Sequence, residues 1–402
     1  MKADWEIKKL GEVGKIFSGN SINEKEKKSY MDLSKEGLFY VATKDISDSN
    51  IDYENGVLIP NENISKFKIA HKNSVLICAE GGSAGRKFAF NSEYDICFVN
   101  KLFAFEANTN VLPEFVFYYY QSDIFSKAFK ERLSGLIGGV SLQKFKEIPI
   151  SFPPLSEQKR IVEILDQKFA QIETLKNNAQ KNLQNAKDLF QAELTKAFSN
   201  DSWEKKRLGE VCEIRPSKTE TIKKLKQTDM VSFLPMEDLQ IMNYYIKAKQ
   251  SKKLIDVVGS YTCFADGDIL LAKVTPCFEN GKQGIARNLL NGIGFGSSEY
   301  IVFRPRTSVI SEYIYYVLAT SKFREEGKKN LLGACGLKRL SKDYVNTYEI
   351  PLPPLSEQQK IVAHLDALQE KVRQLEAIYT KQIANCDELK QSLLQKAFEG
   401  EL

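Results

Sequence analysis

The stretch Phe152-Pro-Pro-Leu-Ser-Glu-Gln158 occurs a second time as Leu352-Pro-Pro-Leu-Ser-Glu-Gln358, 200 residues further along the chain. Paired prolines end the element before them, because proline lacks an N–H and disfavours helical geometry in the preceding residue. Ser156 and Ser356 then have the side-chain type that caps a new helix by accepting hydrogen bonds from its first amides. Each copy therefore predicts a helix start, and the run behind it continues for about forty residues without proline or glycine.

Two further anchors repeat in the same order. The segment Trp5-Glu-Ile-Lys-Lys-Leu-Gly-Glu-Val13 returns as Trp203-Glu-Lys-Lys-Arg-Leu-Gly-Glu-Val211, and Lys196-Ala-Phe198 returns as Lys396-Ala-Phe398. An internal repeat decides the architecture before any local feature does. We predict a tandem duplication, in which two variable bodies, residues 1–151 and 201–351, are each followed by a long helix, residues 152–200 and 352–402.

Both bodies contain short runs of β-branched and aromatic residues between turn residues, which is typical of strands. The predicted strands are residues 37–42, 74–78 and 96–99 in the first body and 266–273 and 300–303 in the second. The aromatic segments 114–121 and 311–318 keep a helical spacing and are interpreted as helices. The glycine-rich run 292–297 precedes a strand instead of a helix, so we interpret it as a hairpin or loop and not as a phosphate-binding loop. Each body is therefore predicted to be α+β.

The two long runs repeat apolar residues at intervals of three and four, with interruptions at Lys176 and Gln382. This pattern predicts a seam for a second helix. Such a helix is about 60 Å long, so one body cannot cover it and we expect the two helices to pair. The alternative is two separate surface helices, each packed on its own body. The predicted seam consists of Leu165, Phe169, Ile172, Leu183, Leu365, Leu368, Val372, Leu375, Leu389 and Leu393.

Composition narrows the class of protein. A length of 402 residues predicts two or three domains, and a net charge of +5 permits a polyanionic partner without demanding one. The seven cysteines are an odd number without a Cys-x-x-Cys pair, so we expect neither a disulfide framework nor a zinc site, and a reduced, cytoplasmic setting. No apolar run is long enough to cross a bilayer, and no membrane partner is expected.

The motifs of several enzyme classes are missing from the sequence. There are two histidines, no Gly-x-x-x-x-Gly-Lys-Ser/Thr loop and no Asn/Asp-Pro-Pro-aromatic motif of amino-group methyltransferases. The Asp, Glu and Lys clusters of nucleases follow only loose motifs, and we recognise no convincing nuclease cluster in this sequence. We expect no catalytic, cofactor or metal site in this chain.

Binding residues are predicted in loops, where a stable scaffold tolerates variation. The turn Gly81–Lys87 contains small residues and ends in two cations, which suits a phosphate approached through backbone amides. Arginine and asparagine read base edges, whereas lysine mostly contacts phosphate. Each candidate alone is equally a solvated loop charge, and the recurrence in both bodies is what favours DNA binding. The candidates are Ser83, Arg86, Lys87, Arg132 and Ser134 in the first body and Lys273, Thr275, Asn280, Lys282, Lys328, Lys329 and Asn330 in the second.

The motifs together resemble the specificity subunits of type I restriction-modification systems. The resemblance rests on the Trp-x4-Leu-Gly-Glu-Val openings, the Pro-Pro-Leu-Ser-Glu-Gln boundaries, the Gln-x-x-Ile-Val helix starts and the final Lys396-Ala-Phe-Glu-Gly-Glu-Leu402. Residues 267–282 are also similar to one subtype of target recognition domain. The first body lacks the Pro-Cys-Phe-Glu-Asn-Gly form of that segment, so its target should differ.

The resemblance implies that each body is a target recognition domain for one half of a split double-stranded DNA site. The long helices would form an antiparallel coiled coil that sets the distance between the half-sites. Two methyltransferase subunits and motor-endonuclease subunits would be the partners, and they would bind S-adenosylmethionine, ATP and Mg²⁺. Two alternatives stay open, namely a fused DNA methyltransferase or nuclease, and a coiled-coil interaction protein without a DNA role.

Overall fold

The computed structural model describes residues 5–31, 36–47, 49–54, 56–135, 138–241, 244–333 and 336–402. The chain forms two compact units, the first from residues 1–179 and 381–402 and the second from residues 180–380. Two long helices, α6 (Leu155–Ala197) and α13 (Leu355–Glu399), each contribute to both units. Each unit therefore contains one body together with parts of both long helices.

Short strands dominate the first unit, as its β-rich runs predict. In the described residues its elements before α6 are β1 (Glu6–Lys9), α1 (Leu10–Val13), β2 (Gly14–Ser18), α2 (Glu24–Ser29), β3 (Gly37–Val41), β4 (Ile46–Ser47), β5 (Asn50–Ile51), β6 (Leu58–Pro60), β7 (Ile69–Ala70), β8 (Ser74–Cys78), β9 (Phe88–Asn91), β10 (Ile96–Phe98), β11 (Leu102–Ala107), α3 (Pro113–Tyr120), α4 (Asp123–Lys130), α5 (Leu142–Lys146) and β12 (Pro149–Phe152).

Two four-stranded sheets form the body of the first unit, in the orders β2-β11-β8-β9 and β6-β3-β10-β7. Strand β10 runs parallel to β3, and the other pairs are antiparallel. Side chains alternate between the faces of a strand. Val75 and Ile77 of β8 therefore join the apolar cluster that includes α3 and α4, while Leu76 and Cys78 join the cluster on the other face. Burial on both faces explains why β8 has no polar residue after its first position.

The second unit repeats this plan. After α6 its elements are β13 (Lys205–Arg207), α7 (Leu208–Val211), β14 (Cys212–Ile214), α8 (Lys218–Thr221), β15 (Met230–Leu234), β16 (Gln250–Lys253), α9 (Leu254–Val257), β17 (Thr262–Ala265), β18 (Ile269–Ala272), β19 (Gln283–Ile285), β20 (Ile293–Gly296), β21 (Tyr300–Pro305), α10 (Ser311–Ala319), α11 (Ser321–Lys329), β22 (Leu331–Leu332), β23 (Arg339–Leu340), α12 (Lys342–Thr347) and β24 (Glu349–Pro351).

The sheets of the second unit have matching orders, β14-β21-β18-β19 and β16-β15-β20-β17, again with one parallel pair, β15 with β20. A two-stranded ribbon precedes the long helix in each unit, β1 with β12 and β13 with β24. The duplication in the sequence is therefore a duplication of topology. The α+β class and the predicted strands and aromatic helices are confirmed.

One local interpretation was wrong. Residues 293–296 of the glycine-rich run form strand β20, which lies between β15 and β17. A Cβ on Gly294 would meet the Phe264 ring at 2.2 Å, and one on Gly296 would meet the Leu234 carbonyl oxygen at 2.4 Å. The glycines are thus used for close packing within a sheet instead of for a turn.

The predicted serine caps are also wrong. Serine caps would start the helices at Glu157 and Glu357, but the helices begin two residues earlier, at Leu155 and Leu355. Ser156 and Ser356 are exposed in their first turns. The carbonyl of Pro154 accepts the bond from the Gln158 amide, at 3.0 Å, and therefore occupies the cap position. The serines have no capping role because the prolines themselves close the first turn.

A buried glutamine is the important residue of the repeated stretch. Gln158 is fully buried, and its Nε2 donates to the carbonyl oxygens of Pro153 and Asn110 at 2.9 and 3.2 Å. Its Oε1 accepts from the amide of Leu112, just before α3, at 2.8 Å. The side chain thus ties the start of α6 to the loop that leads into α3.

Gln358 makes the same three contacts in the second unit. Its Nε2 donates to the carbonyl oxygens of Pro353 and Ser308 at 2.9 and 3.0 Å, and its Oε1 accepts from the Ile310 amide at 3.1 Å. An aromatic residue of the following helix adds a second tie in each unit. Tyr118 donates to Asp166, and Tyr316 donates to Asp366. In each unit, the long helix that follows the body is therefore fixed to that body by equivalent side-chain hydrogen bonds.

The long helices pair in an antiparallel sense in the first unit. In the first unit Arg160 donates to the Leu402 carbonyl at 2.6 Å, and Lys176 Nζ lies 2.6 Å from Asp387 Oδ1. Contacts therefore move backwards along α13 as they move forwards along α6. The lysine that interrupts the apolar pattern of the first run is explained by this ion pair.

Most predicted seam residues are buried or half-buried. Leu165, Ile172, Leu365 and Val372 are at most 7% exposed. The half-buried members are Phe169, Leu183, Leu368, Leu375 and Leu393. Leu389 is a correction, because it is 48% exposed and Leu394, fully buried, occupies the seam instead.

We predict that Gln358→Leu lowers the free energy of unfolding by about 3 kcal/mol, because three backbone groups lose a buried partner at about 1–3 kcal/mol each. Gln359→Leu is the matched control, since the neighbouring glutamine is exposed. Urea unfolding followed by circular dichroism measures both variants. Equal midpoints for the two would show that the buried carboxamide has no role in stability.

We predict that Leu365→Ala costs about 2–5 kcal/mol, as expected for a cavity at a buried leucine. Leu389→Ala, at the exposed position, should change stability by less than about 0.5 kcal/mol. Thermal unfolding of the two variants compares them directly. A larger loss for Leu389→Ala would restore the seam that the sequence predicts.

Candidate nucleic-acid interface

The first candidate loop, residues 79–87, follows the buried strand β8. Gly81 and Gly85 adopt φ values of +80° and +68°, which favour glycine. A Cβ on Gly85 would also meet the Phe129 ring at 2.5 Å. The Gly85 amide donates to the Cys78 carbonyl at 2.8 Å, and the Arg86 amide donates to the Ser83 carbonyl at 3.0 Å. The loop therefore has a defined backbone held by its own hydrogen bonds.

A second segment, the first hairpin (residues 133–140), lies beside this loop. Ser134 and Gly139 bridge its two sides. The Gly81 amide donates to the Gly138 carbonyl at 2.8 Å, and the Val140 amide donates to the Ala79 carbonyl at 3.0 Å. The structure thus brings the segment with Ser83, Arg86 and Lys87 next to the segment with Ser134.

The cations of the first unit differ in what they contact. Arg86 is exposed, and its guanidinium donates to the carbonyl of Gly82. Lys87 is half-buried and donates to the Thr43 carbonyl at 3.1 Å. Arg132 donates to the Ala128 carbonyl at 2.8 Å, at the end of α4. Arg86 is therefore the most accessible of these cations, and Arg132 has a contact that stabilises a helix end.

The second candidate loop, residues 273–282, follows the equivalent strand β18. The Lys273 side chain is 17% exposed, and its Nζ donates to the Ser298 carbonyl at 2.8 Å and lies 3.8 Å from Glu299. Burial lowers the pKa of Lys273, and the nearby Glu299 carboxylate opposes that shift. Lys282 donates to the Met236 carbonyl at 3.1 Å. These two lysines therefore stabilise the loop through hydrogen bonds to backbone carbonyls of other segments.

The second hairpin, residues 331–340, pairs with this loop as the first hairpin does with its own. The Leu340 amide donates to the Lys273 carbonyl at 2.8 Å. The Thr275 amide donates to the Lys338 carbonyl at 2.9 Å, and the Lys338 amide donates to the Thr275 hydroxyl at 3.0 Å. The same surface of one loop and one hairpin therefore occurs in both units, which the sequence did not reveal.

The remaining candidates lie at two places in the second unit. Lys328 and Lys329 are exposed in the last turn of α11, and Asn330 follows as the C-cap. The Asn330 side chain donates to the Glu326 carbonyl at 2.9 Å. Asn280 instead lines a cleft of about 470 Å³. The other polar residues that line the cleft are Lys187, Gln191, Glu279, Arg324, Gln369, Arg373 and Glu376.

Sequence reasoning missed a buried ion pair at the base of the second unit. Arg304 donates from Nε and Nη2 to the two carboxylate oxygens of Asp268, both at 2.8 Å, and from Nη1 to the Thr221 hydroxyl at 3.1 Å. Burial raises the pKa of Asp268, and the Arg304 bonds oppose that shift. No sequence motif indicates this pair, since Asp268 directly precedes β18 and Arg304 lies in β21, 36 residues away.

In the part of the chain that the structure describes, no three His, Cys, Asp or Glu side chains are grouped so as to hold a metal ion. None of the described helices has the length and hydropathy of a membrane span.

Comparisons with known proteins place these features in a family. A family model described as the type I restriction modification DNA specificity domain matches residues 2–184 and 200–384. The EcoAI specificity subunit of Escherichia coli is 36% identical over 177 residues, which are 44% of this chain and 29% of that subunit. The match thus spans less than a third of that relative's length. The StySPI specificity subunit of Salmonella potsdam is 21% identical, with coverage of 99% of this chain and 89% of that subunit.

A solved structure from a study of complex assembly and conformational transition of the type I R-M system has the same fold. Its TM-score is 0.78 at 20% identity, and the match covers 100% of this chain and 99% of that chain. The two matches of the family model together span most of the sequence and coincide with the duplicated topology. The chain belongs to the family of type I restriction modification DNA specificity domains, which it contains in two copies.

Proposed function

We propose that this chain is the sequence-specific DNA-binding subunit of a type I restriction-modification complex and has no catalytic role of its own. Each loop-and-hairpin surface would read one half of a bipartite site on double-stranded DNA. The observation that carries the proposal is the recurrence of one surface in two units with different residues on it. A protein that bound the same target twice would be expected to keep the same residues on both surfaces.

The contrast between scaffold and loops supports an asymmetric site. The bonds of Gln158 and Gln358 and the sheet orders are the same in both units. The loops differ, because residues 79–87 read Ala-Glu-Gly-Gly-Ser-Ala-Gly-Arg-Lys whereas residues 273–282 read Lys-Val-Thr-Pro-Cys-Phe-Glu-Asn-Gly-Lys. Base edges are distinguished by the donors and acceptors presented to them. Two different loop sets should therefore select two different half-sites.

The exposed cations suit the DNA backbone. Arg86 in the first unit and Lys328 and Lys329 in the second are exposed beside the repeated surface. Lysine contacts with phosphate position a protein on DNA without carrying sequence information. Lys273 and Lys282 have internal partners, so we assign them a role in shaping the loop and not in direct contact.

The chemistry would belong to partner subunits. We propose that two methyltransferase subunits bind the chain and methylate adenine with S-adenosylmethionine, and that motor-endonuclease subunits use ATP and Mg²⁺. The paired long helices would set the distance between the half-sites in the cytoplasmic complex. A self-contained enzyme and an interaction protein without a DNA role are not favoured, since the matching family model describes a DNA specificity domain.

We predict that long-read methylome sequencing of a host with the intact system shows one asymmetric methylated motif in two parts separated by a fixed spacer. Deleting the gene for this chain should remove that methylation completely. The reason is that two different readers on one scaffold face successive turns of the duplex, about 34 Å apart or a multiple of it. A palindromic or continuous motif would contradict the proposal.

We predict that Lys328→Gln/Lys329→Gln weakens binding to cognate and random duplexes by the same factor. The slope of log K against log salt should fall by about 2, as expected when two phosphate contacts are lost. The double variant Lys27→Gln/Lys28→Gln is a matched control, because those lysines also stand together in the last turn of a helix. An unchanged slope in the first variant, measured by fluorescence anisotropy, would exclude the two lysines from the interface.

A further inference from the structure

The second hairpin exposes two leucines to solvent. Leu332 is 65% exposed and Leu337 is 59% exposed. Their neighbours at the base of the hairpin are different, since Leu331 pairs with Leu340 and both pack against the apolar cluster of the second unit. The base of the hairpin is therefore anchored, while its outer part presents apolar side chains that contribute nothing to the core.

The first hairpin also exposes a leucine. Val140 is 3% exposed and joins the core of the first unit, whereas Leu133, at the other end of this segment, is 40% exposed. Single exposed apolar residues are ordinary on protein surfaces. Exposed leucines nevertheless occur in the hairpins of both units, although the loops beside them differ.

Each hairpin contains two glycines with positive φ values. Gly333 and Gly336 have φ values of +130° and +95°, and Gly135 and Gly138 have values of +83° and +71°. These conformations favour glycine. A Cβ on Gly135, Gly138 or Gly336 would meet no atom within 4 Å. Packing within each unit therefore leaves open space beside these three glycines.

Charges beside the second hairpin favour a polyanion over a protein surface. Lys328 and Lys329 precede Leu332 by four and three residues, and Lys338 follows Leu337 directly. The neighbouring Arg339 is neutralised by Glu299, with Nη2 2.9 Å from Oε1. In the sequence the two leucines thus lie between lysines, whose positive charge attracts phosphates.

We propose that the second hairpin is an apolar wedge that enters a groove of the DNA duplex and partly unstacks a base step. Leu332 and Leu337 are the inserting side chains. The inference rests on the proposed function, because it places the adjacent loop on DNA. Apolar side chains inserted between base pairs are an established way of bending DNA. Unstacking also lowers the cost for an enzyme that must extrude its target base.

The test uses Leu332→Ser/Leu337→Ser in the full chain, alone and assembled with its methyltransferase subunits. The probe is a duplex with the motif that methylome sequencing identifies, labelled with 2-aminopurine at successive positions of each half-site. Wild type should raise the fluorescence at one step of one half-site. The variant should abolish that rise and bind about ten- to a hundred-fold more weakly, since two leucines lose their burial. Its salt slope should stay unchanged, because no phosphate contact is removed.

Leu290→Ser is the matched control, as this leucine is 48% exposed in another loop of the same unit. It should leave fluorescence and affinity at the wild-type level. Wild-type fluorescence and affinity in the hairpin variant would overturn the wedge. Loss of subunit assembly in the absence of DNA would also overturn it, by assigning the leucines to a protein interface. If wild type itself fails to prefer the methylated motif over a random duplex, the proposed function fails and the wedge with it.

Discussion

The structure depends on a buried carboxamide that has every hydrogen bond it needs. Gln158 and Gln358 each donate twice and accept once, and every partner is a backbone group. A buried amide without partners costs more than a hydrogen bond contributes in water. The helix and the loop before the aromatic helix must therefore keep one relative position, or three groups are orphaned together. These hydrogen bonds fix the start of each long helix to its body. Further along the helices, the bonds from Tyr118 to Asp166 and from Tyr316 to Asp366 fix them a second time.

Away from these hydrogen bonds, equivalent positions are filled by different chemistry. In one sheet of the first unit Glu106 is opposite Lys15, and at the matching place in the second unit Arg304 is opposite Glu213. The sign of each charge is reversed, yet the strand order is the same. Arg304 turns to the buried Asp268, whereas Lys15 lies 3.6 Å from Glu106. The fold thus tolerates large changes in polar residues provided that each buried charge keeps a partner.

Sequence patterns predicted what depends on periodicity and failed where three-dimensional pairing decides. The duplication, the strands around Val75 and Ile301, the aromatic helices and most of the seam follow from spacing. The serines were preferred to Gln158 because capping is a local rule, whereas the glutamine contacts residues more than 40 positions away. Leu389 fits the repeat of three and four, and only the packing shows that its side chain is exposed. Lys273 looked like a free cation because nothing local reveals that Glu299 and the Ser298 carbonyl hold it. The two loop-and-hairpin surfaces could not be predicted from the sequence, because they depend on contacts between segments that lie about 60 residues apart in the chain.

Because each unit includes parts of both long helices, the order in which the chain is synthesised affects the order in which the units can fold. The core of the first unit includes Leu394, Ala397 and Phe398, which follow the entire second unit in the chain. On the ribosome the second unit, a continuous segment from residue 180 to 380, has all its parts before the first unit has its own. The body that is made first must wait with part of its apolar surface uncovered, and it is completed only when the chain returns to it.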